Sequence, residues 1–156
     1  MNCQMPSPSE MTTPTSVWSP DQWLSWGNIN DPVQADQIRL HFPDTDPVYI
    51  ATLQGLLRTA RVFNASTNRH LQIYGDIGEL YGAIVHGIAL HRFSAEGSDG
   101  RLGNDFVEIK TISPFKKRKL VNLRMDRHFS KLLAVRVMQD FSVQGVMVSR
   151  SALPKP

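Results

Sequence analysis

The chain has 156 residues, 41% of them hydrophobic and 20% charged, and its 17 Lys and Arg outweigh 14 Asp and Glu to leave a net charge of +3. That size suits one domain able to bury a core, and the absence of any apolar run near the roughly 18–20 residues of a bilayer span excludes a transmembrane helix. The first residues have neither a basic start nor an apolar core, which speaks against a secretory signal, and the single cysteine, Cys3, excludes an intrachain disulfide or a cysteine-based zinc site and fits a reducing cytoplasm.

Residues 1–16 are dominated by Pro, Ser and Thr with no recurring apolar position, the pattern of a disordered tail. Residues 17–46 read as a helical extension. A short helix is expected to start in the Trp18–Trp26 segment, with Ser19 as its cap and Pro20 at its first position, and Asp31-Pro32 repeats that signal ahead of Val33 to His41. The tryptophans suit a packing role, as a lid or a dimer contact, better than base stacking. Asp46-Pro47 opens a stronger helix from Val48 to about Phe63, with Ile50, Leu53, Leu57 and Ala60 on one face. Residues 47–153 are read as the main domain.

The next helix has Asp76 as expected cap and Glu79 three residues on, the spacing of a capping box. Ile77, Leu80, Tyr81, Ile84, Val85 and Ile88 form one apolar stripe. Glu79 lies off its centre beside Gly82, Ala83 and His86, where small residues allow a strand to come close. Two readings of Glu79 stand side by side, a helix cap and a carboxylate aimed at a reacting centre.

Next comes Ser98-Asp99-Gly100-Arg101-Leu102-Gly103-Asn104-Asp105-Phe106-Val107-Glu108-Ile109-Lys110-Thr111. On a strand, Glu108 and Lys110 project from one side while Val107 and Ile109 project from the other. A hairpin turn over Gly100–Asn104 returns Asp99 next to Glu108. Taken alone, Glu108 and Lys110 are equally a same-face ion pair on an exposed strand, worth little. Further strands are expected over Lys119–Met125, Leu132–Met138 and Ser142–Val148.

Charge divides the chain. Residues 1–57 hold six acidic residues against Arg39 alone, whereas residues 110–136 hold nine basic residues against Asp126 alone. A basic block directly after Glu-x-Lys is where a phosphate backbone would lie, although Lys116–Lys119 also fits a solvated turn. The histidines lack metal-ligand spacing, and no glycine-rich loop precedes a Lys-Ser/Thr pair.

Gly78-Glu79 on a helix, then Gly-Ser-Asp99, then Glu108-Ile109-Lys110, resembles the PD-(D/E)xK nuclease superfamily. Over about residues 70–153 the chain resembles small bacterial members of it; Ser98 stands where that pattern often has Pro. The resemblance implies an α/β sandwich of the restriction-endonuclease-like type, with a mixed central sheet of about four or five strands, helices on its faces and the short helical extension in front. It implies a Mg2+-dependent endonuclease, with Mn2+ as substitute, acting on nucleic acid, in the first place DNA. Asp99, Glu108 and the Ile109 carbonyl would hold the cation, with Glu79 on a bound water or second ion. Lys110 would orient the attacking water or neutralise developing charge. Thr111, Lys116, Lys117, Arg118, Lys119, Arg124, Arg127 and Lys131 are the candidate phosphate contacts. Cutting both strands would favour a homodimer. The alternative is a catalytically silent nucleic-acid-binding or assembly protein on the same fold.

Overall fold

A computed structural model describes residues 24–26, 36, 39–40, 42–92, 98–118 and 120–155. The expected tail over 1–16 lies outside the described residues, as does Lys119. The elements in chain order are strand β1 (Leu24–Trp26), helices α1 (Pro47–Thr67) and α2 (Tyr74–His86), then strands β2 (Ala89–Leu90), β3 (Gly100–Leu102), β4 (Asp105–Ile112), β5 (Lys131–Val137) and β6 (Val143–Ser149), closed by a 3-10 turn, Arg150–Ala152. The strands form one mixed sheet in the order β1-β6-β5-β4-β3-β2, in which β4 and β5 run parallel and every other pair is antiparallel. The class is α/β. Among the described residues, no helix is long and apolar enough to cross a membrane.

The α1 start follows the sequence signal: Asp46 Oδ1 accepts from Val48 N at 2.9 Å, with Pro47 at the first position, where its missing N–H costs nothing. The helix runs four residues past the expected end. It stops at Asn68, whose left-handed φ of 55° turns its N–H back to Asn64 O. Ile50, Leu53, Leu57 and Ala60 are buried as the periodicity predicts.

The start of α2 differs from the reading. Ile73, not Asp76, is the cap residue and makes no side-chain cap bond, so Asp76 falls inside the first turn. Tyr74 is the reason: it is buried and its hydroxyl lies 2.6 Å from His70 Nδ1, which pulls the helix back by nearly one turn. Glu79 is then too deep in the helix to close a capping box, and the cap reading of Glu79 falls.

Two glycines seat α2 on the sheet. A Cβ on Gly78 would overlap Thr111 Oγ1, and one on Gly82 would come within 2.8 Å of Leu133 Cδ2 and 3.3 Å of Ile109 Cδ1. Tyr81, fully buried, occupies the space left free by Gly145 on β6. The face formed by Val107, Ile109, Leu133, Val135 and Met147 is the principal core, with α1 packed behind α2.

Two further expectations are corrected. Leu24–Trp26 is a strand antiparallel to β6, where a short helix was expected, so the described residues form a sheet of six strands rather than four or five. Without it the outer edge of β6 would present unpaired backbone groups, and pairing satisfies them. Within Val33–His41 the described residues Asp36, Arg39 and Leu40 are helical, as expected. The described residues of Lys119–Met125 form no strand, because β3 and β5 already flank β4 and β4 and β6 flank β5. Alternation without a free ladder is not a strand. Instead the connection from β4 to β5 is irregular, where a parallel crossover ordinarily uses a helix. Arg150 ties its end: Nη1 donates to Arg127 O at 2.8 Å and Phe129 O at 3.1 Å, Nη2 donates to Met125 O, and the guanidinium lies over the Phe129 ring.

Candidate active site

The β3–β4 hairpin turns on Gly103 and Asn104, with Leu102 opposite Asp105 and a φ of +60° at Gly103. The turn is tighter than the expected Gly100–Asn104, and Gly100 belongs to β3 opposite Val107. Just before β3, Asp99 lies alongside β4 between Val107 and Ile109. Asp99 N donates to Val107 O at 2.9 Å and Asp99 O accepts from His91 N at 3.1 Å, so the residue is held from both neighbours. Its Oδ2 accepts from Ile109 N at 2.7 Å. Because N–H and C=O of a strand residue project to the same side, the Ile109 carbonyl also faces the Asp99 edge.

Glu108 and Lys110 share a face, as the alternation predicts. Glu108 is only 1% exposed, Lys110 Nζ is 3.0 Å from its Oε1, and Arg127 Nε is 3.4 Å from its Oε2. Neither oxygen has an aligned hydrogen bond. A buried carboxylate held by charge alone is incompletely satisfied.

Glu79 comes from the other direction. The contacts of Gly78 and Gly82 put α2 on the Ile109–Thr111 face of β4, opposite to Glu108. Asp99, at the start of β3, is near enough for its charge to act on Glu79. Burial, then the charge of Asp99, then that of Asp76 raise the Glu79 carboxyl above the ordinary range. Among the described residues no three His, Cys, Asp or Glu side chains form a ready-made metal cluster; the placement of Glu79 and Glu108 on opposite faces is why.

The donor types present are those a hard divalent cation uses. Asp99 and the buried, incompletely satisfied Glu108 both adjoin the Glu108–Ile109 peptide and are hard oxygen donors, and Mg2+ takes one or two carboxylates with water completing its shell. Positive charge there would also relieve the repulsion between Asp99 and Glu79.

The candidate phosphate contacts scatter. Thr111 lies under Gly78 on the α2 face and cannot share a phosphate with Lys110. Arg127 faces Glu108. Lys131 pairs with Asp105 at 3.2 Å, and Ser130 Oγ donates to the same carboxylate at 2.8 Å; that hydroxyl first, then Lys131, hold Asp105 below its ordinary range. Arg124 pairs with Asp126 at 2.8 Å. Lys116, Lys117 and Arg118 are exposed. The sequence reading missed Arg127 as the partner of Glu108 and Arg150 as the anchor of the crossover. Both are contacts between residues about 20 positions apart with no local signature.

The chain is thus an α/β protein whose mixed sheet carries Asp99 against Ile109 and a buried Glu108 beside Lys110 and Arg127. No family model matches it, and no curated protein matches it.

Proposed function

We propose that this protein is a Mg2+-dependent endonuclease of the PD-(D/E)xK type, hydrolysing phosphodiester bonds of DNA in the cytoplasm and working as a homodimer to cut both strands. One observation carries the reading: Asp99 Oδ2 accepts from Ile109 N at 2.7 Å, next in sequence to a buried, incompletely satisfied Glu108 carboxylate that has Lys110 Nζ 3.0 Å away. Asp99, Glu108 and the Ile109 carbonyl would hold the cation, and Glu79 would reach it through water. When bound, the cation supplies Lewis acidity and a more acidic water. Lys110 holds its ammonium beside the scissile phosphate and offsets the charge that accumulates there during attack. The hydrogen bond from Ile109 N orients Asp99, so its other oxygen is aimed rather than free to rotate.

A second reading has its own observation. Arg127 and Lys110 already neutralise Glu108, as they would in a nucleic-acid-binding protein without catalysis.

Supercoiled plasmid incubated with Mg2+ or Mn2+, beside EDTA and an Asp99→Asn/Glu108→Gln double variant, separates the two. Metal-dependent nicking lost in the variant supports the nuclease. Plasmid binding without nicking, and no calorimetric Mn2+ uptake, supports the silent reading.

A further inference from the structure

At the far end of β4 and β5 there is a cleft of ≈ 310 Å³ that the hydrolytic site does not use. It is lined by Ile112 and Val137, the last residues of the two parallel strands, and by Lys116, Lys117, Arg136 and Ser113. Ligands of open α/β sheets bind outside the carboxyl ends of parallel strands, where the following connections diverge. Here β4 leaves through Ser113-Pro114 while β5 turns back into β6. The volume is at the small end for ligand pockets.

Among the described residues the charge is one-sided: Lys116, Lys117 and Arg136 line the cleft and no Asp or Glu does. Arg136 is preset, because its Nη2 donates to Gln144 Oε1 at 2.7 Å, and the Lys116 backbone is fixed by its bond to Ser113 O at 3.1 Å. Arg136 pairs with Ile112 across the sheet and shares its face with Glu108. Four strand residues, about 13 Å, separate Glu108 from Ile112, too far for one phosphate to touch both.

We propose that this cleft binds a phosphate monoester, carried by the end of a nucleic-acid strand or by a nucleotide. A monoester brings up to two negative charges to three cations, whereas an internal diester brings one, and charge-assisted bonds to a phosphate are the strong ones. Capture there needs neither Asp99 nor Glu108 and does not rest on hydrolysis.

The test uses the full chain in EDTA. Fluorescence anisotropy compares one single-stranded oligonucleotide with a 5′-phosphate, a 3′-phosphate or hydroxyls at both ends, and calorimetry compares adenosine monophosphate with adenosine. A phosphorylated ligand is expected to bind about tenfold tighter than its hydroxyl counterpart. Lys117→Ala/Arg136→Gln is expected to erase that ratio while the unfolding midpoint in urea stays within experimental error. Lys116→Ala/Lys117→Ala, at exposed positions, provides the same reading should Arg136→Gln disturb the fold. Preference confined to the oligonucleotide identifies a strand end as the ligand; monophosphate binding of equal strength identifies a nucleotide. Equal affinity for phosphorylated and hydroxyl ligands, or a preference that survives both double variants, overturns the proposal. Glu108→Gln separates it from the nuclease reading: there the preference persists although cleavage is gone.

Discussion

The two faces of the sheet are built on different principles. The face under α2 is close-packed and apolar, seated on Gly78 and Gly82 with Tyr81 against Gly145. The opposite face carries Glu108, Lys110, Arg136 and Gln144 on alternate positions and is covered, at Glu108, by an irregular crossover pinned through Arg150. One face packs against the helix, and the other combines its charges with the buried Ile112, Leu132 and Val146. A helix on the charged face would have filled it with side chains, whereas a loop leaves a buried carboxylate beside two cations and a basic cleft at the strand ends.

Substitutions can break or sharpen that contrast. The largest effect is expected from Glu108→Gln, with plasmid cleavage falling at least about a thousandfold, roughly 4 kcal/mol on the barrier, and the fold retained by circular dichroism. Unfolding of that variant would mean that the charged face also carries the stability. Next come the adjacent leucines of β5, which point to opposite faces. Leu133→Ala, inside the main core, is expected to cost near the top of the roughly 2–5 kcal/mol range and Leu132→Ala near its bottom, because a loop can close a cavity more readily than a helix can. Equal losses in urea unfolding would erase the distinction.

His86, at the end of α2, has its pKa lowered to about 4, first by burial and then by Lys131. The unfolded chain takes up that proton near pH 6.5, before the folded one does, so stability falls as pH drops from about 6.5 to about 4. The expected loss is about 3 kcal/mol, and it should vanish in His86→Phe. Glu79 has the opposite sense of linkage. Its raised pKa means that the folded state holds the proton more tightly, so its contribution to stability is present at acidic pH and is lost as pH rises through the folded value. Glu79→Gln is therefore expected to raise the unfolding midpoint slightly at pH 7 while it lowers cleavage. A lower midpoint with unchanged cleavage would return Glu79 to a purely structural role.

Much of this arrangement is legible along the chain because its causes are local. Asp46-Pro47 opens α1 where its capping chemistry predicts, and the apolar stripe from Ile77 to Ile88 is buried or partly buried as its period requires. The two-fold alternation of β4 puts Glu108 beside Lys110, and the glycine-centred hairpin brings Asp99 to the next strand. Each of these needs only the residues within one turn or one hairpin.

What tertiary structure alone decided are events in which distant groups compete for the same space or partner. Tyr74 met His70 and moved the start of α2 away from Asp76. Lys119–Met125 has strand alternation but no open edge beside it, while Leu24–Trp26 found the edge of β6. Arg127, counted from its charge as a phosphate contact, lies against Glu108. A residue's charge and periodicity are properties of its own segment. Its partner depends on which groups the whole fold leaves within reach, and a buried carboxylate attracts the nearest cation from whatever segment supplies it.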